Sequence, residues 1–305
     1  MPTLPAPSTL SRPIIADGAM GTALFAGGMP VGEAPEAWLL TPEGAAAVEA
    51  VHRSHVAAGS GLVLTSTFGA NAIRLADTEI AGRTADVCRA AVAAARAAAG
   101  PDRLVAGSMG PTGGLLVPYG TLDAGEVRAS FASEAAALAK AGVDVIWVET
   151  MMDLNEAIAA VEGASEGAPG LPVVCTLVFA QRNRTMFGNP AEEAAERLAA
   201  LGVAGIGANC GDGWAPVEAV IPILAAHAPG LHIVAKANAG IPSGTAEGVT
   251  SYPGTPEEAA AYARRVADMG ATIVGGCCGT TAAHVAAIAG ALAGCRSVTA
   301  AVRRR

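Results

Sequence analysis

Three cysteines carry the sharpest chemical signal in the chain. Cys210 closes Gly207-Ala208-Asn209-Cys210, and the adjacent pair lies in Gly275-Gly276-Cys277-Cys278-Gly279. Each group ends a short apolar run that reads as a buried strand, the sixth and the eighth along the chain. Strands set side by side in chain order would place these two roughly 10 Å apart, near enough for their side chains to meet. Three converging thiolates make a zinc site, and three protein ligands with an open fourth position belong to a catalytic rather than a structural zinc. The adjacent pair imposes a condition. Neighbours on a regular strand point to opposite sides, so the backbone must leave strand geometry there, and Gly275, Gly276 and Gly279 give it the freedom. Two other readings of the trio stay open at this point. Buried cysteine also serves as a small hydrophobe, the reading given to Cys88, Cys175 and Cys295, and Cys277-Cys278 could close a vicinal disulfide. No CxxC spacing speaks for a metal.

Other reactive side chains fall at the ends of neighbouring runs. Asp17-Gly18-Ala19-Met20-Gly21-Thr22 follows the first, Thr65-Ser66-Thr67 the second, Glu149-Thr150 the fourth and Lys236-Ala237-Asn238 the seventh. Asp17 and Thr67 could cap a following turn or helix, and Glu149 could pair with an arginine. A lone lysine at a strand end could form a Schiff base with a carbonyl substrate, which makes a lyase the rival enzyme class. A non-catalytic zinc or thiol sensor is the third class.

The elements that must position these groups follow from periodicity. Eight apolar, β-branched-rich runs bounded by turn residues read as strands buried on both faces: 13–17, 61–67, 104–109, 144–150, 172–179, 203–210, 231–238 and 271–277. Between them lie Ala-rich segments of helical period, such as 43–58, 123–141, 192–201 and 255–269. Thr41-Pro42, Asn189-Pro190 and Thr255-Pro256 place a capping side chain before a first-turn proline. Gly59, Gly142, Gly202 and Gly270 stand where a left-handed residue ends a helix. Eight β-then-α units without a composition break predict an α/β fold, a single (β/α)8 TIM barrel spanning 1–305, with 1–12 and 296–305 as frayed peripheral tails. An open doubly wound sheet would alternate in the same way.

Composition narrows the partners. With 305 residues, 15% charged and 52% apolar, against a usual charged share of roughly 25%, the chain must bury a large core. A net charge of -8 and only two lysines, Lys140 and Lys236, argue against a nucleic-acid groove. Residues 269–295 lack Asp, Glu, Lys and Arg, long enough to span a bilayer, but Gly275, Gly276 and Gly279 divide the stretch into a strand, a turn and a helix. Six cysteines are too few for a disulfide scaffold, and nothing before Arg12 resembles a secretory leader. The expectation is a reduced, cytoplasmic enzyme.

Taken together, Asp17-Gly18-Ala19-Met20-Gly21-Thr22, Thr67-Phe68-Gly69-Ala70-Asn71, Gly207-Ala208-Asn209-Cys210 and Gly275-Gly276-Cys277-Cys278-Gly279 resemble the homocysteine S-methyltransferase family over about Ile14 to Ala293. Ser108-Met109-Gly110-Pro111-Thr112-Gly113 and Glu149-Thr150-Met151-Met152-Asp153 look most like the homocysteine module of methionine synthases. The resemblance implies a (β/α)8 barrel with one zinc ion per chain held by Cys210, Cys277 and Cys278, and homocysteine sulfur as fourth ligand. It implies that Glu149 receives the substrate ammonium, with Asp17, Gly18, Ala19, Met20, Gly21, Thr67 and Asn209 completing the pocket. It further implies methionine as product. Ser66 and Ala237 depart from the family's usual Asn and Pro. Because one barrel occupies the whole length, a cobalamin-borne methyl group would have to come from a separate corrinoid protein, with S-methylmethionine or a betaine-type compound as the alternative donor.

Overall fold

The computed structural model describes residues 2–30, 32–244 and 250–294. Its strands are β1 (Ile14–Ile15), β2 (Leu62–Leu64), β3 (Leu104–Met109), β4 (Val145–Met151), β5 (Val173–Leu177), β6 (Gly205–Cys210), β7 (His232–Ala237), β8 (Ser243–Gly244), β9 (Thr250–Ser251) and β10 (Ile273–Gly276). β8 and β9 form a small antiparallel pair; the other eight make one sheet in the order β1-β10-β7-β6-β5-β4-β3-β2. A parallel bridge from Ala16 to Leu62 joins its two ends. The sheet is therefore closed, and the expected barrel replaces the open alternative.

A helix of at least ten residues returns from the end of each barrel strand: Pro42–Ala57, Thr84–Ala99, Ala124–Ala141, Leu154–Gly167, Ala191–Ala200, Trp214–His227, Pro256–Asp268 and Ala282–Leu292. Local signals set several boundaries. The Thr41 hydroxyl accepts from Gly44 N at 3.0 Å, and Thr255 with Glu258 closes a capping box. Gly59, Gly142, Gly202 and Gly270 all have positive φ. The third expected cap differs. Pro190 occupies that position, because Asn189 is drawn into the preceding turn, its N–H donating to Thr185 Oγ1 and its amide to Glu193.

Inside the barrel, alternation sorts residues by height. Leu62, Leu64, Leu104, Ala106, Val145, Trp147, Val174, Val234 and Ile273 form an apolar cluster, with Trp147 the largest fully buried side chain. At that level β6 contributes glycine, since a Cβ on Gly207 would stand 2.3 Å from the Val234 carbonyl oxygen. Two residues further along, on the same inward phase, come Ser108, Glu149, Asn209 and Lys236, all buried. The barrel thus has an apolar floor and a polar roof at its carboxyl end, where the site of such a fold belongs.

The amino-terminal segment, expected to fray, is engaged. Leu4 packs against the interior cluster, and His232 Nε2 lies 2.8 Å from the Pro5 carbonyl oxygen, an acceptor only, so the ring donates there. Cys88 and Cys175 are fully buried in the core as expected, whereas Cys295 and the 296–305 tail lie outside the described residues. Among the described residues no helix is long and apolar enough to cross a membrane. Trp147→Ala should lower the unfolding free energy by roughly 3–5 kcal/mol; a urea midpoint equal to the parent's would show that the floor does not depend on this ring.

Candidate active site at the barrel mouth

Strand register brings the cysteines together. Ala237 of β7 pairs with Cys210 of β6 on one side and with Gly276 of β10 on the other, so Cys210 and Cys277 finish at nearly one level across a small side chain. The three sulfurs of Cys210, Cys277 and Cys278 lie within 4.8 Å of one another. Thiolates around a tetrahedral zinc, at about 2.3 Å from the ion, stand roughly 3.8 Å apart, so the donor set fits that metal in both chemistry and spacing. None of the three is in a disulfide.

The backbone reaches this arrangement in two ways. Cys210 takes φ +63° and Thr150, at the end of β4, φ +61°, conformations uncommon outside glycine and frequent at functional sites. The Asn209 side chain bolts these two ends together: Oδ1 accepts from Thr150 N at 2.9 Å, while Nδ2 donates to Thr150 Oγ1 at 2.7 Å and lies 3.7 Å from Cys277 Sγ. The glycines near Cys277 divide the labour differently from expectation. Only Gly279 has positive φ, +77°; Gly275 and Gly276 instead permit close approach, since a Cβ would stand 2.8 Å from Asp17 O and 2.3 Å from Thr280 Oγ1 respectively. The pair leaves strand geometry just beyond β10, and Cys277 O accepts from Thr280 Oγ1 at 2.7 Å.

Without a cation the three thiols share their protons unequally. Hydrogen bonds from Cys277 and Cys278, then Gly211 N and Asn238, pull Cys210 far below the usual thiol range against its burial. Cys277 and Cys278, as donors to it, are held above that range. A cation bound among them would favour the thiolate form of all three. Cys88 and Cys175 are pushed up by burial, as inert core residues should be.

A cavity of about 370 Å³ opens beside the sulfurs. Of the residues expected to hold substrate, Asp17, Gly18, Ala19, Met20, Gly21 and Glu149 line it together with all three cysteines and Lys236. Thr67 and Asn209 do not. Thr67 is fully buried and donates to the Ser108 carbonyl oxygen at 2.6 Å, a structural tie between the ends of β2 and β3, and Asn209 acts on Thr150 and Cys277 as above.

The charged groups are sharply divided. Asp17 is already satisfied: Oδ1 meets Lys236 Nζ at 2.5 Å, and Oδ2 accepts from Leu64 N at 2.7 Å. Glu149 has no such partner among the described residues. Its Oε1 accepts from Ser108 Oγ at 2.5 Å, and burial, only partly offset by Lys236 and Ser108, raises its pKa. Lys236 keeps its proton; burial pulls its pKa down, but Asp17 and Glu149 together outweigh that and leave it raised. A Schiff base needs the free amine, and the buried ion pair with Asp17 favours the ammonium form instead.

Sequence reasoning missed four contributors. Ser108 was recoverable, standing two residues beyond Ala106 on a strand of known phase. Asn238, whose Nδ2 donates to the Gly211 carbonyl oxygen at 2.6 Å, carried a weak signal as the end of its run. Thr280, and Tyr252, whose ring covers Gly279 and whose hydroxyl reaches the Cys278 thiol, carried none.

Comparison with known proteins places this geometry. Residues 14–292 match the homocysteine S-methyltransferase family. Methionine synthase of Mycobacterium tuberculosis is 34% identical over 297 residues, covering 92% of this chain and 25% of the relative; that of Mycobacterium leprae is 33% identical over 308 residues, covering 94% and 25%. The chain thus spans about a quarter of the length of these curated relatives. The metallated crystal structure of the homocysteine methyltransferase MmuM from Escherichia coli superimposes with a TM-score of 0.75 at 23% identity, over 92% of this chain and 96% of that one, a likeness of fold. With all eight barrel strands and their helices inside the matched span, this chain belongs to the homocysteine S-methyltransferase family.

Proposed function

We propose that the chain catalyses zinc-dependent methyl transfer to homocysteine, forming methionine. The observation that carries this reading is the meeting of three thiols at one end of a cavity whose wall holds a carboxylate with no cation partner. Cys210, Cys277 and Cys278 would hold the ion. Zinc bound there supplies enough Lewis acidity to deprotonate a coordinating thiol at neutral pH, where a free thiol of pKa roughly 8.5 is mostly protonated.

The remaining work belongs to side chains of the barrel. Glu149 takes the substrate ammonium, which converts a carboxylate that burial disfavours into half of an ion pair. Ser108 donates to that carboxylate and fixes its direction. Asp17, held by Lys236 and Leu64 N, shapes the wall without competing for the ammonium. Asn209 holds the Cys210 strand end against β4. The acceptor sulfur, presented as a thiolate, attacks the donor methyl carbon in line as that carbon's bond to the donor breaks, so no general base is required of the protein.

For the donor, the resemblance to the homocysteine module of methionine synthases favours a methylcorrinoid presented by a protein unit other than this barrel. One observation favours a small cationic donor such as S-methylmethionine or a betaine. Glu36 is 7% exposed and lines the same cavity. Its Oε1 accepts from Gly69 N at 2.7 Å, and among the described residues no cation pairs with it.

Two measurements test the reading. Metal analysis should find about one zinc per chain, lost in Cys277→Ala; an unchanged zinc content in that variant would remove the ligand assignment. Zinc-loaded protein with homocysteine should yield methionine from free methylcobalamin with a corrinoid protein, from S-methylmethionine or from betaine. In the productive case Glu149→Gln should raise the KM for homocysteine by about tenfold or more, as the loss of a buried charge-assisted bond requires. No methionine from any of these donors would refute the assignment.

A further inference from the structure

The Lys236–Asp17 pair has a geometry that its neighbours explain. β10 lies between β7 and β1 in the sheet, and its residue level with Lys236 is Gly275. With no side chain at that level of β10, the end of β1 packs close against Gly275, and the lysine reaches across the strand to meet Asp17 Oδ1 at 2.5 Å and the Asp17 carbonyl oxygen at 3.4 Å. Both side chains are almost completely buried, 3% and 4% exposed, yet both line the cavity. Lys236 is one of two lysines in the chain and the only cation, among the described residues, buried in the cavity wall; the other arginine or lysine that lines it, Arg74, is exposed at the mouth.

An amino-acid thiol brings two charges into this space. Glu149 answers the ammonium. The carboxylate would enter a wall that, without Lys236, contains three buried carboxylates, Asp17, Glu36 and Glu149, and no buried cation, and Coulomb repulsion is poorly screened in such surroundings. We propose that Lys236 is a specificity-determining residue: by neutralising Asp17 across β10, it makes the cavity accept a zwitterionic thiol rather than a purely cationic one. This rests on the homocysteine reading above and adds a residue to it. Of the wall's charged groups, Asp17 and Lys236 are the two in direct contact, so a change at either alters the charge the substrate carboxylate meets. Losing the lysine should therefore penalise the substrate carboxylate, losing the aspartate charge should favour it, and losing both should restore the balance.

The test uses the zinc-loaded protein and titration calorimetry with two thiols, homocysteine and 3-aminopropane-1-thiol, which is homocysteine without its carboxylate. The quantity read is the ratio of their dissociation constants. Lys236→Met should shift it by about tenfold or more toward the cationic thiol, and Asp17→Asn should shift it toward homocysteine, effects of the size one poorly screened charge exerts. The double variant should return to within about threefold of the parent, a compensation expected of directly coupled residues and not of two lesions that merely loosen the fold. Should Lys236→Met fail to fold, the opposite shift in Asp17→Asn and the ratio in the double variant decide the matter. A ratio equal to the parent's in Asp17→Asn, or in Lys236→Met where it folds, overturns the inference alone. A parent protein that binds neither thiol overturns the homocysteine reading, and this inference with it.

Discussion

Everything at the mouth of this barrel depends on holding three sulfurs within 4.8 Å of one another when they come from strands that are not neighbours. β7 intervenes between β6 and β10, so the sulfurs must close over its end. Ala237 keeps that end low, paired with Cys210 on one side and Gly276 on the other. The left-handed turn at Cys210 and the break after Gly276 then bring the sulfurs inward from both flanks. The left-handed conformation at Cys210 is costly for an L-residue and is held by the Asn209 bonds to Thr150; the turn after Gly276 is closed locally by Thr280 Oγ1 donating to the Cys277 carbonyl oxygen.

The same constraint accounts for the glycines. A strand that delivers two adjacent ligands cannot also carry inward side chains just below them, because that space belongs to Asp17 and Thr280. Gly275 admits the Asp17 backbone at the level where Lys236 reaches across β10 to the Asp17 carboxylate. A buried ion pair is weak evidence for stability, since desolvation offsets much of its attraction. Its presence directly above an apolar floor of Leu, Val and Trp side chains is better explained by what it does to the cavity than by what it adds to the fold.

The fold was largely legible in the sequence because its signals are local and repeated. Apolar runs of strand length, Thr-Pro helix starts and left-handed glycines recur unit by unit, and β3 occupies 104–109 as its run predicts. The metal ligands were legible for another reason: cysteine at a strand end is conspicuous, and strand order supplies the distance. Failures came where meaning lies in a partner far along the chain. Asp17 and Thr67 looked alike, polar residues after short strands, yet Asp17 meets Lys236 in the cavity wall, 219 residues away, while Thr67 is spent on the Ser108 backbone. Asn189 misled because a turn competed for the same amide. Gly275 and Gly276 were read as flexible when steric clearance is their use, a property of what packs above them.

The cysteines show how far position decides chemistry. Cys88 and Cys175 lie in surroundings that oppose a thiolate: burial, joined at Cys88 by the nearby Glu134, lifts both thiols well above the usual range. Cys210 is also largely enclosed, but two neighbouring thiols, a backbone N–H and an amide point at its sulfur, and these donors reverse the effect of burial. A single thiolate so stabilised still leaves its two neighbours protonated. The cluster is therefore a site with unfilled demand for positive charge, and the neighbouring wall, with Glu149 unpaired and Asp17 already neutralised by Lys236, has a demand of the same sign. An ion at the sulfurs and an ammonium at Glu149 would satisfy the two separately, which is the arrangement a thiol-bearing amino acid can bridge with one molecule.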